Sequence, residues 1–211
     1  WRVRIALATK EVPYKVVAVN IKQGQHKSPA FLAINPMGQV PVLEYTDTET
    51  GSVHYLTQSV AIIEFLDANF PLKRSLIPKD PVDKVAATEI VEVINSGIQP
   101  LQNAPMVMKL EHVSEGKIVA KDFAQKAIIQ GLEVVEALIK RRKQDRHGPF
   151  ALGGFSPTYA DACIVPQLYN ARRFGVDVEK EFPALASIDE CCKVHPWFAP
   201  AHPTVQIDAE E

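Results

Sequence analysis

The residues with the clearest chemical potential lie in one short stretch, residues 35–43, which reads Asn-Pro-Met-Gly-Gln-Val-Pro-Val-Leu. Its two prolines and its glycine exclude a helix there. Pro41 has no N–H to donate and therefore suits the first residue or the edge of a strand. If the Val40–Pro41 bond is cis, as a small minority of such bonds are, the Val40 N–H and C=O face outward and can pair with an extended peptide, as an added strand does. The alternative is an ordinary strand start.

The composition is that of an ordinary globular protein. The chain has 211 residues, with 46% hydrophobic and 23% charged residues, which predicts one or two domains. The net charge of −2 gives no bias toward nucleic acid or membranes, and no uncharged apolar run reaches transmembrane length. Three cysteines, Cys163, Cys191 and Cys192, make no disulfide framework. A reduced, intracellular setting is therefore favoured, and no cysteine–histidine spacing predicts a zinc site.

The first residues of the given chain have the pattern expected of the middle of a helix. Trp1, Val3, Ala6 and Leu7 fall at helical spacing, with neither an initial Met nor a capping residue before them. We therefore expect a strand and a helix cap upstream of Trp1, and a targeting peptide in that region is left open.

The first 70 residues alternate between helix and strand patterns. The predicted elements are a helix to Lys10, a strand at 14–19, a polar loop at 20–27, a short helix after the Ser28 cap and Pro29, strands at 42–45 and 52–56, and a helix at 58–70. The turn at 47–51 predicts that the last two strands form an antiparallel hairpin.

This order of elements resembles the thioredoxin fold of glutathione transferases. Four segments carry a closer resemblance, to the zeta class or maleylacetoacetate isomerases, and it covers essentially the whole chain. They are residues 1–8 (Trp-Arg-Val-Arg-Ile-Ala-Leu-Ala), 35–41, 58–66 (Gln-Ser-Val-Ala-Ile-Ile-Glu-Phe-Leu) and 97–103 (Gly-Ile-Gln-Pro-Leu-Gln-Asn). The Val-Pro and Gln-Ser pairs are shared by many glutathione transferases, whereas the first and last segments are particular to zeta.

The resemblance implies glutathione as the cofactor. Val40 is expected to bond the backbone of its cysteinyl residue, while Ser59, at a helix N-terminus, is expected to bind a glutathione carboxylate with help from Gln58. For His26 in the polar loop, a glutathione contact and a plain solvent-facing histidine are equally weighted. Trp1 and Arg2, the first two residues of the given chain, complete the glutathione-binding residues that the resemblance implies in this part.

The second part of the chain is predicted to be all-helical after a linker. Asp80–Pro81 is an N-cap followed by a proline at the first helical position. A long helix is predicted at about 117–143, and its basic end at 140–143 is interpreted as a solvated terminus that complements the helix dipole rather than a nucleic-acid patch. The Thr158–Asp161 capping box resembles the folding motif of transferase C-terminal domains, so Asp161 is interpreted as structural.

Three further residues match functional positions of the zeta class. Gln99 and Asn103 match residues that line the glutathione and substrate cleft, and they share a helix face if the helix survives Pro100. The family often has Leu-Ser after this asparagine, where this chain has Ala104–Pro105. Arg173 matches an arginine proposed to receive a substrate carboxylate, and an internal salt bridge is the nearly equal alternative. Arg172 is expected at the surface.

The implied reaction is addition of glutathione to the cis double bond of maleylacetoacetate, rotation, and elimination to fumarylacetoacetate, a step of tyrosine and phenylalanine catabolism. A free thiol has a pKa of about 8.5, so the thiolate must be stabilised. In the family this falls to a Ser-Ser-Cys-Ser segment expected upstream of Trp1, with Arg2 assisting as the catalytic residue of the given chain. The alternatives are general glutathione conjugation or dehalogenation of α-halo acids, and a non-catalytic binding or scaffold protein.

The predicted architecture is therefore an α/β thioredoxin-like domain at 1–70, with its first strand upstream of the given chain, a linker at 71–81 and an all-α domain at 82–211. The resemblance further implies a cytoplasmic homodimer that acts on a small dicarboxylate and binds neither nucleic acid nor membrane.

Overall fold

The computed structural model describes residues 1–207 and divides the chain into two compact units. The first comprises Trp1–Ser75 together with the described residues from Pro200 onward, and the second is Leu76–Ala199. The division falls inside the predicted linker at 71–81. The segment from Pro200 groups with the first unit, whereas the sequence placed it in the second.

The described residues of the first unit contain three helices and one hairpin. These elements are α1 (Arg2–Lys10), α2 (Pro29–Ile34), β1 (Val42–Thr46), β2 (Val53–Thr57) and α3 (Ser59–Asn69), with short 3-10 turns at Gln25–Lys27 and Pro203–Val205. The two strands pair antiparallel, with Val42 opposite Thr57 and Thr46 opposite Val53, which confirms the predicted hairpin.

Local signals in the sequence account for the helices of this unit. The Ser28 hydroxyl accepts a hydrogen bond from Phe31 N at 3.3 Å and Pro29 opens α2, as predicted. Helices α1 and α3 pack together through fully buried aliphatic side chains, namely Ile5, Leu7, Ile62, Ile63 and Leu66. The buried Lys10 ammonium joins the two helices through the Asp67 carboxylate at 2.7 Å and the Phe70 carbonyl at 3.2 Å.

The strand predicted at residues 14–19 does not form. These residues have no regular secondary structure, and the hairpin is the only sheet in the described chain. β-branched residues favour an extended backbone, but a strand is stabilised by a neighbouring strand and its side chains. No strand among residues 1–207 lies beside this segment, and Tyr14 and Val17 remain exposed. The prediction was wrong because it relied on the β-propensity of these residues alone, whereas a strand also needs a neighbouring strand to pair with.

The second unit is all-helical, as predicted. Its elements are α4 (Pro81–Glu92), a π-helical segment (Val93–Ile98), α5 (Gln99–Gln102), α6 (Ala104–Val113), α7 (Ala120–Arg142), α8 (Tyr159–Arg173), α9 (Val178–Glu181) and α10 (Pro183–Lys193). A 3-10 turn at Ala199–Ala201 lies at the boundary between the units. The predicted cap of α4 is present, since the Asp80 carboxylate accepts from Asp83 N at 2.9 Å. Pro105 lies in the first turn of α6, where its missing N–H costs nothing.

Two buried carboxylates hold helix N-termini in this unit. Asp161 is fully buried and accepts from Thr158 N at 2.7 Å and Ala151 N at 2.8 Å, which completes the predicted capping box. Burial raises the pKa of the Asp161 carboxyl, and these hydrogen bonds oppose that rise. Glu136, on α7, accepts from Ala184 N at 3.1 Å and Leu185 N at 3.0 Å. The Glu136 carboxylate thus caps α10, whose own N-cap residue provides no side-chain bond.

The basic run at the end of α7 is ion-paired within its own unit. Lys140 pairs with Glu136 at 3.0 Å and Arg141 with Glu89 at 3.4 Å, while Arg142 pairs with Asp83 on α4. These partners agree with the interpretation as a helix end rather than a nucleic-acid patch.

No helix in the described chain is both long enough and apolar enough to span a membrane.

Candidate functional site

The turn that precedes β1 is organised by Asn35, which is only 3% exposed. Its side-chain N–H donates to Gln39 O at 2.6 Å, and its Oδ1 accepts from Met37 N at 3.1 Å. Gly38 N also bonds to the Asn35 carbonyl at 2.8 Å. The side chain and backbone of one buried residue therefore set the path of the chain toward Val40.

Val40 lies just outside the hairpin ladder. The Val40–Pro41 peptide is cis, so the condition set out from the sequence is met. Strand pairing begins two residues later, at Val42, and Val40 is 44% exposed. Within residues 1–207, neither its N–H nor its C=O takes part in a hydrogen bond. An extended ligand can therefore pair with this backbone.

The start of α3 offers a second set of free backbone groups. Gln58 occupies the N-cap position with φ 66° and ψ 116°, a conformation that residues other than glycine rarely adopt and that tends to occur at functional sites. Ser59 is the first helical residue, and the N–H groups of this turn have no acceptor inside the helix. Such a terminus attracts anions through its N–H groups and the helix dipole.

Arg2 is brought to this helix start. Its guanidinium is buried, at 6% exposure, and Nη1 donates to the Ser59 hydroxyl at 3.3 Å. Trp1 is half-buried and packs edge-to-face on His202, with ring centroids 4.6 Å apart. The structure therefore gives Trp1 a packing contact with the C-terminal segment. Of the residues predicted for the first unit, Arg2 and Ser59 are in direct contact.

His26 and Lys27 border the turn that Asn35 organises. His26 lies in the 3-10 turn at Gln25–Lys27, and its Nδ1 is shielded from solvent without a hydrogen-bond partner in the described chain. Lys27 Nζ donates to Met37 O at 3.2 Å, and Gln58 Nε2 contacts Met37 Sδ at 3.2 Å. Met37 thus lies between the loop and α3. Neither the contact of Lys27 nor the organising role of Asn35 was predicted from the sequence, although Asn-Pro is a recognisable turn signal.

Gln99 and Asn103 occupy opposite ends of α5 in the second unit. The helix ends at Gln102, and Asn103 has an extended backbone with φ −68° and ψ 137°. The shared helix face was expected only if the helix survived Pro100. Helix α5 passes Pro100 but ends at Gln102, so Asn103 leaves the helix and occupies the N-cap position of α6 without a side-chain cap bond. Its N–H still bonds to Gln99 O at 3.1 Å. Neither side-chain amide bonds to another residue in the range 1–207.

The two arginines at the end of α8 have different surroundings. Arg172 is half-buried and pairs with Glu179 at 2.7 Å and with the buried Asp189 at 2.8 Å. The Arg172 guanidinium holds the pKa of the Glu179 carboxyl below its ordinary value. Arg173 is exposed and pairs with no carboxylate in the described part of the chain. The internal salt bridge thus belongs to Arg172, not Arg173, and Arg172 is not a simple surface residue.

The fold and this arrangement define a glutathione transferase. The family model for the glutathione S-transferase N-terminal domain matches residues 1–69. A probable maleylacetoacetate isomerase of Drosophila melanogaster is 38% identical over 99% of this chain and 85% of its own length.

Solved structures give the same result. A maleylacetoacetate isomerase from Anaeromyxobacter dehalogenans, described with bound glutathione in its active site, is 39% identical, with a TM-score of 0.85 over 100% of this chain and 92% of its own. Another crystal structure of that enzyme, 37% identical with a TM-score of 0.84 over the same shares, is described with dicarboxyethyl glutathione and citrate. A bacterial zeta-class maleylpyruvate isomerase is 32% identical, with a TM-score of 0.88 over 99% of this chain and 94% of its own.

This chain belongs to the maleylacetoacetate isomerase family of zeta-class glutathione transferases.

We predict that Gly38→Ala destabilises the first unit more than Gly51→Ala. Both glycines have positive φ, 59° and 72°, so both substitutions carry the same kind of backbone strain. A Cβ at Gly38 would lie 2.8 Å from both His26 O and Lys27 Nζ, whereas a Cβ at Gly51 meets nothing within 4 Å. We expect the difference in unfolding free energy, measured by urea denaturation, to be about 1–3 kcal/mol. Equal losses in the two variants would show that the turn has room for a side chain.

Proposed function

We propose that this protein catalyses the glutathione-dependent cis–trans isomerisation of maleylacetoacetate to fumarylacetoacetate. The observation that carries the proposal is the start of α3, where the buried Arg2 guanidinium meets the Ser59 hydroxyl beside the strained backbone of Gln58. We propose that this arrangement binds a carboxylate. Membership of the isomerase family supports the same reaction.

The residues of the first unit fit glutathione, an extended peptide with two carboxylates. The free N–H and C=O of Val40 suit the backbone of its cysteinyl residue. The N–H groups at the start of α3 suit a carboxylate, and the Gln58 amide can donate to the same group. The shielded, unpaired Nδ1 of His26 supports a ligand contact for this histidine over the plain loop histidine. Trp1 remains a proposed contact residue through its place beside Arg2.

Glutathione, when bound, supplies the thiol that adds reversibly to the substrate double bond and so permits rotation about it. The part of this chain is to bind and orient. Arg2 is permanently charged and lies at the helix start, where it favours an anionic sulfur or carboxylate. The unpaired guanidinium of Arg173 suits a substrate carboxylate. In the second unit, the uncommitted amides of Gln99 and Asn103 provide donors and acceptors for glutathione.

Membership of the glutathione transferase family is also compatible with a broader transferase activity, such as glutathione conjugation or dehalogenation of α-halo acids. The two reactions differ in stoichiometry, because isomerisation regenerates glutathione and conjugation consumes it. A scaffold protein without activity is the remaining alternative, and it predicts glutathione binding without turnover.

We also infer a homodimer in the cytoplasm. Apolar side chains are exposed on both units, with Val53 and Tyr55 on β2 and Val82 and Val85 on α4 at 45–63% exposure. Large contiguous apolar patches mark protein interfaces, so these side chains are candidates for the dimer contact, and the dimer itself is inferred from the family. Light scattering should give twice the 23.3 kDa chain mass, and a monomer at micromolar concentration would contradict the dimer.

Cell fractionation tests the proposed cytoplasmic location, and recovery of the protein with a membrane or organelle fraction would refute that location.

We predict that the protein converts maleylacetone, a compact stand-in for maleylacetoacetate, only when glutathione is present. The total glutathione concentration should stay constant while many substrate molecules turn over, because the thiol is released in each cycle. Loss of the cis substrate can be followed by absorbance and glutathione by thiol titration. Equal turnover without glutathione would exclude the mechanism, and stoichiometric loss of thiol would favour conjugation.

We predict that Ser59→Ala weakens glutathione binding without unfolding the first unit. The substitution removes the hydroxyl that accepts from Arg2, and we expect the free energy of binding to fall by about 1–2 kcal/mol. Calorimetry measures the affinity and circular dichroism the fold. Ser52→Ala, at an exposed hairpin position in the same unit, is the matched control and should bind normally. An unchanged affinity for Ser59→Ala would remove this residue from the carboxylate site.

A further inference from the structure

Two buried glutamine side chains form a reciprocal pair between α5 and α8. Gln102 Nε2 donates to Gln167 Oε1 at 3.1 Å, and Gln167 Nε2 donates to Gln102 Oε1 at 2.9 Å. Gln102 is 8% exposed and Gln167 only 1% exposed. Each amide satisfies the other, so this polar contact can be buried at little cost, whereas either amide alone would be left with unmet hydrogen bonds.

Helix α5 needs such a contact because it has only four residues. A helix of one turn has little stability of its own, so its position depends on what it packs against. At its first end, Ile98 is fully buried against α7, where a Cβ added to Gly131 would lie 2.1 Å from Ile98 Cγ1. At its last end, Gln102 is held by Gln167. The short helix is therefore fixed at both ends by neighbours of different chemistry.

The residues that α5 presents are Gln99 and Asn103. Gln99 immediately follows Ile98, and Asn103 immediately follows Gln102, so each lies next to one of the two fixing points. The bond from Asn103 N to Gln99 O links them through the backbone. A shift of Gln102 would thus move Asn103 directly and Gln99 through the single turn between them.

We propose that Gln102 and Gln167 are positioning residues that hold the amides of Gln99 and Asn103 in the orientation needed for glutathione. This inference rests on the proposed function of those two amides. Gln102 and Gln167 contact each other rather than ligand in this scheme. A head-to-tail amide pair has one favourable alignment, unlike an apolar contact that can slide, so it specifies where α5 lies as well as stabilising it.

The test compares four variants: Gln102→Met, Gln167→Met, the double Met variant, and Gln130→Met as a control at an exposed glutamine of α7. Glutathione affinity is measured by calorimetry, without substrate, and stability by thermal unfolding. Methionine keeps the length of the side chain and removes the hydrogen bonds. Each single variant should unfold at lower temperature and bind glutathione on the order of tenfold more weakly, about the effect of losing one hydrogen bond to the ligand.

The double Met variant separates positioning from stability. Its two apolar side chains satisfy each other, so the unfolding temperature should recover most of its loss. The glutathione affinity should stay weak, because the alignment is still absent. Recovery of the affinity together with the unfolding temperature would overturn the positioning role and leave a purely structural pair.

A second arm uses Gln99→Ala/Asn103→Ala as the background. If Gln102 acts through these amides, adding Gln102→Met should lower the unfolding temperature as before and have no further effect on glutathione affinity. An additional tenfold loss in this background would contradict the inference. If Gln99→Ala/Asn103→Ala alone binds glutathione normally, the proposed role of the amides fails and the inference falls with it. The two kinds of failure are distinguished by the affinity of the Gln99→Ala/Asn103→Ala variant alone, which equals that of the wild type only if the amides have no role.

Discussion

The requirement that buried polar groups be hydrogen-bonded determines how this chain presents its functional residues. Asn35 satisfies its amide by bonding the turn ahead of Val40. The Asp161 carboxylate accepts from the N-cap of its own helix and from Ala151, and so fixes the start of α8. The Glu136 carboxylate accepts from the first N–H groups of α10, and so fixes the start of that helix. Gln102 is paired with another buried amide. In each case the group would destabilise the protein if unpaired, and its partner is a segment whose position matters.

Local chemistry made much of the fold predictable. The serine–proline, aspartate–proline and threonine–aspartate signals at Ser28, Asp80 and Thr158 all mark true helix starts, because a cap depends on residues two or three positions away. The segment at 14–19 failed because a strand depends on a neighbour that no local signal specifies. The segment from Pro200 was assigned to the wrong unit for a similar reason, since contacts such as that of Trp1 with His202 join the two ends of the chain.

The candidate site was predictable in its residues more than in its geometry. The resemblance identified Val40 and Ser59, and the structure adds the free backbone of the first and the Arg2 contact of the second. The unusual backbone of Gln58 has no signature in the residue type. For Arg172 and Arg173, adjacent residues of the same type differ only in helical phase, and phase depends on packing. Gln102 was missed although it stands between two residues that were assigned.

The π-helical segment at Val93–Ile98 alters how the second unit can be compared with other helical proteins. One extra residue in a turn advances everything that follows by about 100° around the axis. The apolar stripe of α4 and the amides of α5 therefore belong to two different angular frames, although the backbone runs on without a loop. A regular heptad pattern extended from α4 into α5 would therefore place Gln99 and Gln102 on the wrong faces of the helix. Because of this one added residue, α4 and α5 follow each other without a loop while their buried faces point in different directions around the axis.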